Sequence, residues 1–400
     1  MAGRREPLDS IKNMFASRTE WNLALNRLSE ALARHRASGR WLIDLTVSNP
    51  TQCGFTYDYD AILTPLANPA VLAYEPEPQG FFSAREAVAA YYAERGATLN
   101  PADIFLTVST SEVYSFVFRL LCNPGDEILV PAPSYPLFEF LAEIQDVKVV
   151  RYPLVYDHGW QVDFQALEDA LTPRTRAVIV VHPNNPTGHF CKAAEAAKLG
   201  QMCAAAGGAL IVDEVFLDFA LAQTGAASFA GAANSVALTF TLSGISKICG
   251  LPQMKLAWTV VGGPPEIKGQ AKARLEVIAD AYLSLNAPVQ HALPALLGQR
   301  HSLQQQVMAR LRKNLAELDR QLTSKKSCSR LAVEGGWNAV LRVPATRSDE
   351  DLAIELLETK GVAVHPGHLY DFAGDGYMVV SLITPEAAFT DGIERVLAAF

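Results

Sequence analysis

Short apolar segments alternate with longer, one-sided segments through the middle of the chain. The apolar segments predict strands at 104–108, 127–130, 147–150, 177–181, 209–212, 235–241 and 256–261. The segments between them predict helices at 82–95, 112–121, 135–144, 163–170 and 191–206. Apolar strands that alternate with helices are typical of a largely parallel sheet covered by helices on both faces. The sequence therefore predicts an α/β fold with a mostly parallel, seven-stranded sheet.

The pattern changes after Pro264, where long helices replace the regular alternation. Residues 303–322 carry leucine or valine at three- and four-residue spacing, which is typical of a long helix with one buried face. The tail predicts further elements, namely strands at 338–343, 362–365 and 377–382 and helices near 349–359 and 386–399. We therefore expect a large domain over residues 46–289, and a smaller α+β domain formed by residues 1–45 and 290–400.

The segment before the first regular strand is less periodic. Ser17-Arg18-Thr19-Glu20 has the spacing of a capping box and predicts a helix ending near Gly39, whose apolar face comprises Trp21, Leu25, Leu28 and Leu32. Residues 43–47 predict a short strand. Residues 51–79 contain many prolines and aromatic residues without a regular period, so we expect an irregular arm that packs on another surface.

Composition narrows the functional class. Half of the 400 residues are hydrophobic, and the net charge of −8 argues against nucleic-acid binding. Residues 1–7 are not followed by an apolar run, so we expect neither a secretory signal nor a membrane span. The six cysteines are scattered without a Cys-x-x-Cys pair, which is typical of a protein from the reducing cytoplasm.

Hydroxyl side chains follow the strand at 104–108. Ser109-Thr110-Ser111 precedes a predicted helix, and hydroxyls beside free amides at a helix N-terminus can hold a phosphate group. The alternative is an ordinary helix cap with additional serines, which is commoner.

Two further strand ends carry an amide and a carboxylate. Asn185 lies in the turn His182-Pro183-Asn184-Asn185-Pro186-Thr187-Gly188 and can bond an anionic oxygen, although such turns also form for backbone reasons alone. Asp213-Glu214 ends the strand at 209–212, where a buried carboxylate is costly without a cation. A protonated pyridinium is one such cation; a helix cap or an internal ion pair is the alternative.

One lysine follows the strand at 235–241. Gly250 and Pro252 interrupt regular structure just after Lys247, which places the amine where the backbone becomes irregular. A dry pocket would lower the pKa of that amine and make it a nucleophile. The alternative for one lysine alone is a solvated surface residue.

The three motifs together resemble a known family. Asn185-Pro186-Thr187-Gly188, Asp213-Glu214-Val215-Phe216 and Ser246-Lys247, in this order and at these separations, resemble the fold-type-I pyridoxal-phosphate enzymes. More narrowly, they resemble the class I/II aminotransferases of the aspartate aminotransferase superfamily. The resemblance extends from about Asp44 to the C-terminus.

The resemblance implies roles for particular residues. Lys247 would form the Schiff base with pyridoxal 5'-phosphate and shuttle the proton, Asp213 would pair with the pyridine nitrogen, and Asn185 would bond the phenolic oxygen. Tyr135 would stack on the ring, and Tyr74 would reach the phosphate of the neighbouring subunit, which implies a homodimer with active sites at its interface. The phosphate would be held by Ser109, Thr110, Ser111, Ser246 and Lys255.

The chain departs from the family pattern at four positions. Phe216 stands where a tyrosine usually bonds the phenolic oxygen, Lys255 replaces a phosphate-binding arginine, and Gly244 replaces a serine. Val379 occupies the place of the arginine that clamps the substrate carboxylate. The sequence therefore leaves open which group, if any, binds that carboxylate.

Several residues are candidates for the substrate side. Arg18 is the first, because an N-terminal segment commonly folds over the site in this family; a surface arginine is the alternative. Ser48 and Asn49 match the segment beside the substrate carboxylate. Weaker candidates are Arg342, Asn286 and Gln290. His365-Pro366-Gly367-His368 predicts a turn, and we expect no metal site there.

The resemblance implies an aminotransferase. It would move an amino group between an amino acid or amine and a 2-oxo acid, by a ping-pong cycle through pyridoxamine phosphate. One alternative is a C–S lyase or another non-transaminating enzyme that uses the same cofactor. The more distant alternative is a non-catalytic binding protein on the same fold, and neither nucleic acid nor a membrane is expected as a partner.

Overall fold

The computed structural model describes residues 14–222, 227–231 and 236–400. In chain order, the strands are β1 (Ile43–Asp44), β2 (Ile104–Thr107), β3 (Glu127–Ala132), β4 (Lys148–Tyr156), β5 (Trp160–Val162), β6 (Thr175–Val181), β7 (Ala209–Asp213), β8 (Thr239–Gly244), β9 (Ala257–Gly262), β10 (Ser329–Arg330), β11 (Asn338–Arg342), β12 (Val362–Ala363), β13 (His365–Pro366) and β14 (Tyr377–Ser381). The α-helices are α1 (Arg27–Ala37), α2 (Tyr59–Leu63), α3 (Phe82–Ala93), α4 (Thr110–Leu121), α5 (Phe138–Glu143), α6 (Phe164–Ala170), α7 (Ala193–Ala206), α8 (Ile245–Ile248), α9 (Pro265–Asp280), α10 (Ala287–Leu322), α11 (Asp349–Glu355) and α12 (Glu386–Leu397).

The large sheet has the strand order β2-β9-β8-β7-β6-β3-β4-β5. Strands β8, β7, β6, β3 and β4 pair in parallel, whereas β9 and β5 pair antiparallel to their neighbours. Its central strands are buried on both faces, because α4 and α9 cover one side and α7 covers the other. This arrangement confirms the predicted α/β class with a mostly parallel sheet.

The second sheet is smaller and is built from the tail of the chain. It has the order β10-β11-β14-β13 and packs on α10, α11 and α12. The N-terminal strand β1 pairs in parallel with β12, so residues near 43 join the C-terminal part. The 36-residue helix α10 packs against α3 at one end and α12 at the other, and thus spans both parts.

Three elements differ from the sequence prediction. The helix predicted from the capping box at Ser17 is wrong at its start: residues 17–19 form one 3₁₀ turn, and α1 begins after Asn26, whose side chain accepts from the Ser29 amide. Trp21 and Leu25 lie outside any helix, Leu25 is exposed, and only Leu28 and Leu32 of the expected face fall within α1. An eighth strand, β5, adds a hairpin to the sheet edge. The predicted helix at 303–322 is the second half of α10.

The N-terminal residues 1–7, which we expect to carry no secretory signal, lie outside the described residues. Within residues 14–222, 227–231 and 236–400, no helix is both long and apolar enough to cross a membrane.

Candidate active site

Five strands end at one edge of the large sheet, and each is followed by a residue singled out from the sequence. Strand β2 leads to Ser109, β3 to Tyr135, β6 to Asn185, β7 to Asp213 and β8 to Lys247. These five strands run in the same direction, because β9, which lies between β2 and β8, is antiparallel to both. Carboxyl ends of parallel strands are where open α/β sheets bind ligands.

Lys247 lies on the one-turn helix α8, directly after β8. Its amine is 5.0 Å from the centre of the Trp337 ring and 5.7 Å from that of Phe216. The Nζ atom donates to the carbonyl oxygen of Ser48 at 3.4 Å. The lysine amine thus lies against a pair of adjacent aromatic rings and one backbone acceptor, and the residue is only half-buried.

This environment changes the protonation of the amine. Burial lowers the pKa of Lys247 from 10.5 to about 8, while the negative charge of Asp213 opposes that shift. A lysine with a depressed pKa supplies neutral amine near physiological pH, which is the form that attacks a carbonyl.

Asp213 is the anion beside this lysine. Its Oδ2 accepts from the Tyr114 hydroxyl at 3.1 Å, and its Oδ1 accepts from the amide of Val215 at 3.1 Å. Burial nevertheless raises the pKa of Asp213 from 3.8 to about 6. Glu214 points to the opposite face of the strand, where it accepts from the Ser228 hydroxyl. A buried carboxylate with a raised pKa is a good partner for an added cation, because the cation would restore its charged form.

The amide of Asn185 is bonded from the smaller sheet. Asn338, the first residue of β11, donates from Nδ2 to Asn185 Oδ1 at 2.7 Å. The two asparagines line a narrow crevice together with Phe216, Gly335 and Trp337. The loop after β6 and the start of β11 therefore meet at the site.

The segment before β11 is fixed against that same loop. The amides of Glu334 and Gly335 both donate to the carbonyl oxygen of Gly188, and Glu334 pairs with Lys192. His189 lies 3.2 Å from Glu195 and 3.7 Å from Glu334, so its imidazole sits between carboxylates of both parts of the fold. These contacts set where Trp337 and Asn338 can lie.

Helix α4 begins at the residues that the sequence predicts as a phosphate site. Ser109 is its N-cap and accepts from the Glu112 amide at 3.2 Å, while Glu112 accepts from the amide of Val108 at 3.0 Å. The capping interpretation is therefore correct, and the Ser109 hydroxyl keeps its proton to donate. The amides of Thr110 and Ser111 lie in the first turn, where helix geometry leaves N–H groups for an anion.

The remaining cofactor candidates differ in position. Ser246 is half-buried on α8, next to Lys247, and Lys255 is exposed with a left-handed φ of 53°. Tyr135 is 40% exposed; partial burial raises the pKa of its hydroxyl, and the nearby Asp213 charge adds to that shift. Tyr74 is 81% exposed and lines a surface pocket with Phe81 and Leu283.

Arg18 does not reach Lys247 within one subunit. It pairs with Asp146, whose carbonyl accepts from the amide of Gly125, just before β3 begins. Asp146 therefore lies at the amino-terminal edge of the sheet, and the six residues of β3 span about 20 Å to the opposite edge. The geometry of one subunit does not support Arg18 as the carboxylate ligand.

The other substrate-side candidates have structural contacts. Asn49 uses its side chain to cap the turn at Thr51, whereas the Ser48 carbonyl contacts Lys247. Asn286 caps α10, and Gln290 accepts from the amide of Phe81. Arg342 is exposed, and His365 bonds the Tyr370 hydroxyl at 2.9 Å. Within residues 14–222, 227–231 and 236–400, no three histidine, cysteine or carboxylate side chains cluster closely enough to hold a metal ion.

Val379 is 1% exposed and packs in an apolar cluster with Tyr370 and Val340. The position that carries an arginine in the resembled family is therefore an uncharged, buried position here.

Sequence reasoning missed four residues of this site. Tyr114 could not be recognised from the sequence, because its position is typical of the core face of α4. Cys53 could not be distinguished from the other buried cysteines. Trp337 and Asn338 follow a Gly-Gly turn at the start of a predicted strand. A polar residue two positions after a pair of glycines is a weak signal that a backbone approaches closely, but it does not reveal the partner.

Comparison with known proteins identifies the family. A family model described as "Aminotransferase class I and II" matches residues 66–387. The chain belongs to this aminotransferase family. Glutamate-pyruvate aminotransferase AlaA of Escherichia coli is 29% identical over 272 residues, which are 68% of this chain and 67% of that protein. An alanine aminotransferase of Mycobacterium tuberculosis is 29% identical over 280 residues, 69% of this chain and 65% of that protein.

Solved structures share the fold. The structure of an aminotransferase from Escherichia coli superposes with a TM-score of 0.86 at 23% sequence identity. The superposed region includes 96% of this chain and 97% of that chain. Class I and II aminotransferases use pyridoxal phosphate, so the chain is a pyridoxal-phosphate-dependent transaminase, and the lyase alternative is not favoured. The site fits that cofactor, because a nucleophilic amine, a buried carboxylate in need of a cation, and a helix N-terminus share one edge.

Proposed function

We propose that Lys247 is the residue that binds pyridoxal phosphate covalently and then moves the substrate proton. The observation that carries this proposal is the position of its amine, beside the adjacent Trp337 and Phe216 rings and close to Asp213, with a pKa lowered to about 8. Such an amine is neutral often enough to attack an aldehyde, and it can accept and return a proton near neutral pH.

The other residues act on the ends of the cofactor. Asp213, steadied by Tyr114 and Val215, would pair with the ring nitrogen, and Asn185 would donate to the phenolic oxygen. Tyr135 would cover one ring face, and the first turn of α4 with Ser109, Thr110, Ser111, Ser246 and Lys255 would hold the phosphate. When bound, the cofactor supplies an electron sink for the carbanion formed as the substrate proton leaves.

The chain's own groups then handle the proton. The free Lys247 amine would lie 3.4 Å from the Ser48 carbonyl oxygen and near enough to Asp213 for that carboxylate to favour its protonated form. The two aromatic rings shield one side of the amine from water, which would favour return of the proton it takes to the same reacting system.

The substrates and the assembly are also part of the proposal. Amino donors and 2-oxo acids are the substrates of this class, and the names of the relatives favour alanine and glutamate as the first donors to test. The exposure of Tyr74 favours a homodimer in which this ring covers the partner subunit's site. A cytoplasmic location is supported by the composition and scattered cysteines.

The test is chemical trapping followed by a donor screen. Borohydride reduction of the yellow enzyme should fix the cofactor to the peptide that contains Lys247, as measured by mass spectrometry. Lys247→Ala should lose the visible band, whereas Lys326→Arg, a change at an exposed lysine, should keep it. Trapping on another lysine would refute the assignment.

The donor screen addresses the reaction. Alanine or glutamate should convert the cofactor to its pyridoxamine form, and pyruvate or 2-oxoglutarate should restore the original spectrum. Release of pyruvate and ammonia without that conversion would refute transamination for the donor tested.

A further inference from the structure

Asn338 makes the one contact between the smaller sheet and the amide of Asn185 that the structure resolves. The bond from Asn338 Nδ2 to Asn185 Oδ1 measures 2.7 Å and joins residues 153 positions apart. Both side chains are half-buried, so the bond lies at the wall of the site and not deep in the core. Asn338 belongs to none of the motifs by which the chain resembles its family.

The backbone around Asn338 is firmly placed. In the smaller sheet Asn338 is paired with Ser381, whose amide donates to Leu45 at 2.7 Å and whose hydroxyl donates to the carbonyl of Val47. On the preceding residue, the Trp337 carbonyl accepts from the Leu382 amide at 2.7 Å. A donor on such a scaffold loses little conformational entropy when it bonds its acceptor.

We propose that Asn338 is a positioning residue that fixes which end of the Asn185 amide faces the cofactor. An asparagine side chain carries an acceptor oxygen at one end and a donor NH₂ at the other. With Oδ1 engaged by Asn338, the NH₂ end of Asn185 is turned to the other side, where it can donate. This inference rests on the proposed role of Asn185 as donor to the phenolic oxygen.

Orientation of this amide matters more here than it would beside a second donor. The Phe216 ring offers no hydroxyl, and it packs edge-on against Trp337 with ring centres 5.3 Å apart. If the Asn185 amide rotated, its carbonyl oxygen would face the anionic phenolic oxygen and repel it. Asn338 therefore decides whether Asn185 stabilises or destabilises that anion.

Two substitutions separate the possibilities. Asn338→Asp offers an acceptor to Asn185 and should reverse its amide, whereas Asn338→Ala only removes the donor. Loss of the bond to the phenolic oxygen makes the proton shared with the lysine nitrogen harder to remove. The pH midpoint of the visible cofactor band should therefore rise by about one unit in Asn338→Asp, or about 1.4 kcal/mol, and by less in Asn338→Ala.

The controls distinguish positioning from a structural effect. Gln321→Ala removes another buried amide of the same part of the fold, which bonds the Thr390 carbonyl, and should lower thermal stability without moving the midpoint. In an Asn185→Ala background, Asn338→Asp should cause only the smaller shift that its own negative charge produces, because the amide it orients is gone.

Each outcome has a distinct meaning. Unchanged midpoints in Asn338→Asp and Asn338→Ala, together with a shifted Asn185→Ala, would overturn the role of Asn338 alone. An equal shift from Asn338→Asp with and without Asn185 would overturn it as well. An unshifted Asn185→Ala would instead remove the donor role of Asn185 from the proposed function. Should Asn338→Asp not fold, Asn338→Ala alone and Asn338→Ala combined with Asn185→Ala give the same decision.

Discussion

The cofactor-free enzyme should contain a lysine that titrates far below the usual range. Burial lowers the pKa of Lys247 from 10.5 to about 8, against the opposing charge of Asp213. At pH 7 a lysine of pKa 8 is neutral in about one molecule in ten, compared with about one in three thousand at 10.5. The structure therefore predicts an enrichment of neutral amine of about 300-fold over an ordinary lysine.

Competitive labelling measures this directly. The cofactor-free protein is treated with a limiting amount of an amine-directed acylating reagent over a pH series, and peptides carrying Lys247 and the exposed Lys326 are compared by mass spectrometry. The Lys247 profile should have its midpoint near pH 8. Asp213→Asn should move it lower, because the variant removes an anion that favours the ammonium form.

Trp337→Ala should move the midpoint in the opposite direction. Replacing the indole 5.0 Å from the amine admits water and weakens the desolvation that lowers the pKa. A midpoint near 10 in the parent protein would refute the reasoning, as would a rise on removing Asp213. Lower labelling of Lys247 through poor access would change its amplitude but not its midpoint.

Two other predictions follow from ion pairs outside the site. Arg18→Ala should leave the KM for amino donors unchanged and lower the unfolding free energy by less than about 1 kcal/mol, because the pair with Asp146 is exposed. If Arg18→Ala raises the KM and Asp146→Ala does not, Arg18 contacts the substrate and this prediction is wrong. Glu195 and Glu334 raise the pKa of His189 above 6.5, so the stability it contributes is fully present below about pH 6.5 and is lost as pH rises through the folded-state pKa. Urea unfolding over a pH series should show this loss in the parent and not in His189→Asn; equal pH dependence in both would contradict it.

The large sheet could be predicted because its strands carry their own signal. Strands β6 and β7 are apolar on both faces, as burial in a parallel sheet requires, and each is found within two residues of its predicted range. The β8 strand runs from Thr239 to Gly244 instead of 235–241, so only two residues of α8 separate it from Lys247. Boundaries moved by a few residues, but the order of strand ends did not.

The first helix shows where local signals fail. Ser17 and Glu20 have the spacing of a capping box, yet a cap contributes only about 1 kcal/mol and cannot offset the cost of nucleating a helix. Of the expected face, Leu25 is exposed and Trp21 packs on Phe140, so these residues do not form one helical stripe with Leu28, which packs on the core of the smaller part. Asn26 caps a helix that does bury one side, with Ala31 and His35 against the smaller part of the fold.

Some residues of the site could be predicted from local sequence patterns, whereas others are placed by contacts between distant parts of the chain. Asn185, Asp213 and Lys247 follow strands whose parallel order places them together, so one edge of the sheet could be inferred from spacing alone. The wall opposite is set by pairing between β11 and β14, which the sequence does not encode locally. In that register Val340 faces Val379, and Asn338 lies two residues earlier on the same face. The face that carries Val379 in place of an arginine thus presents an amide to Asn185, and only the pairing of two strands forty residues apart reveals it.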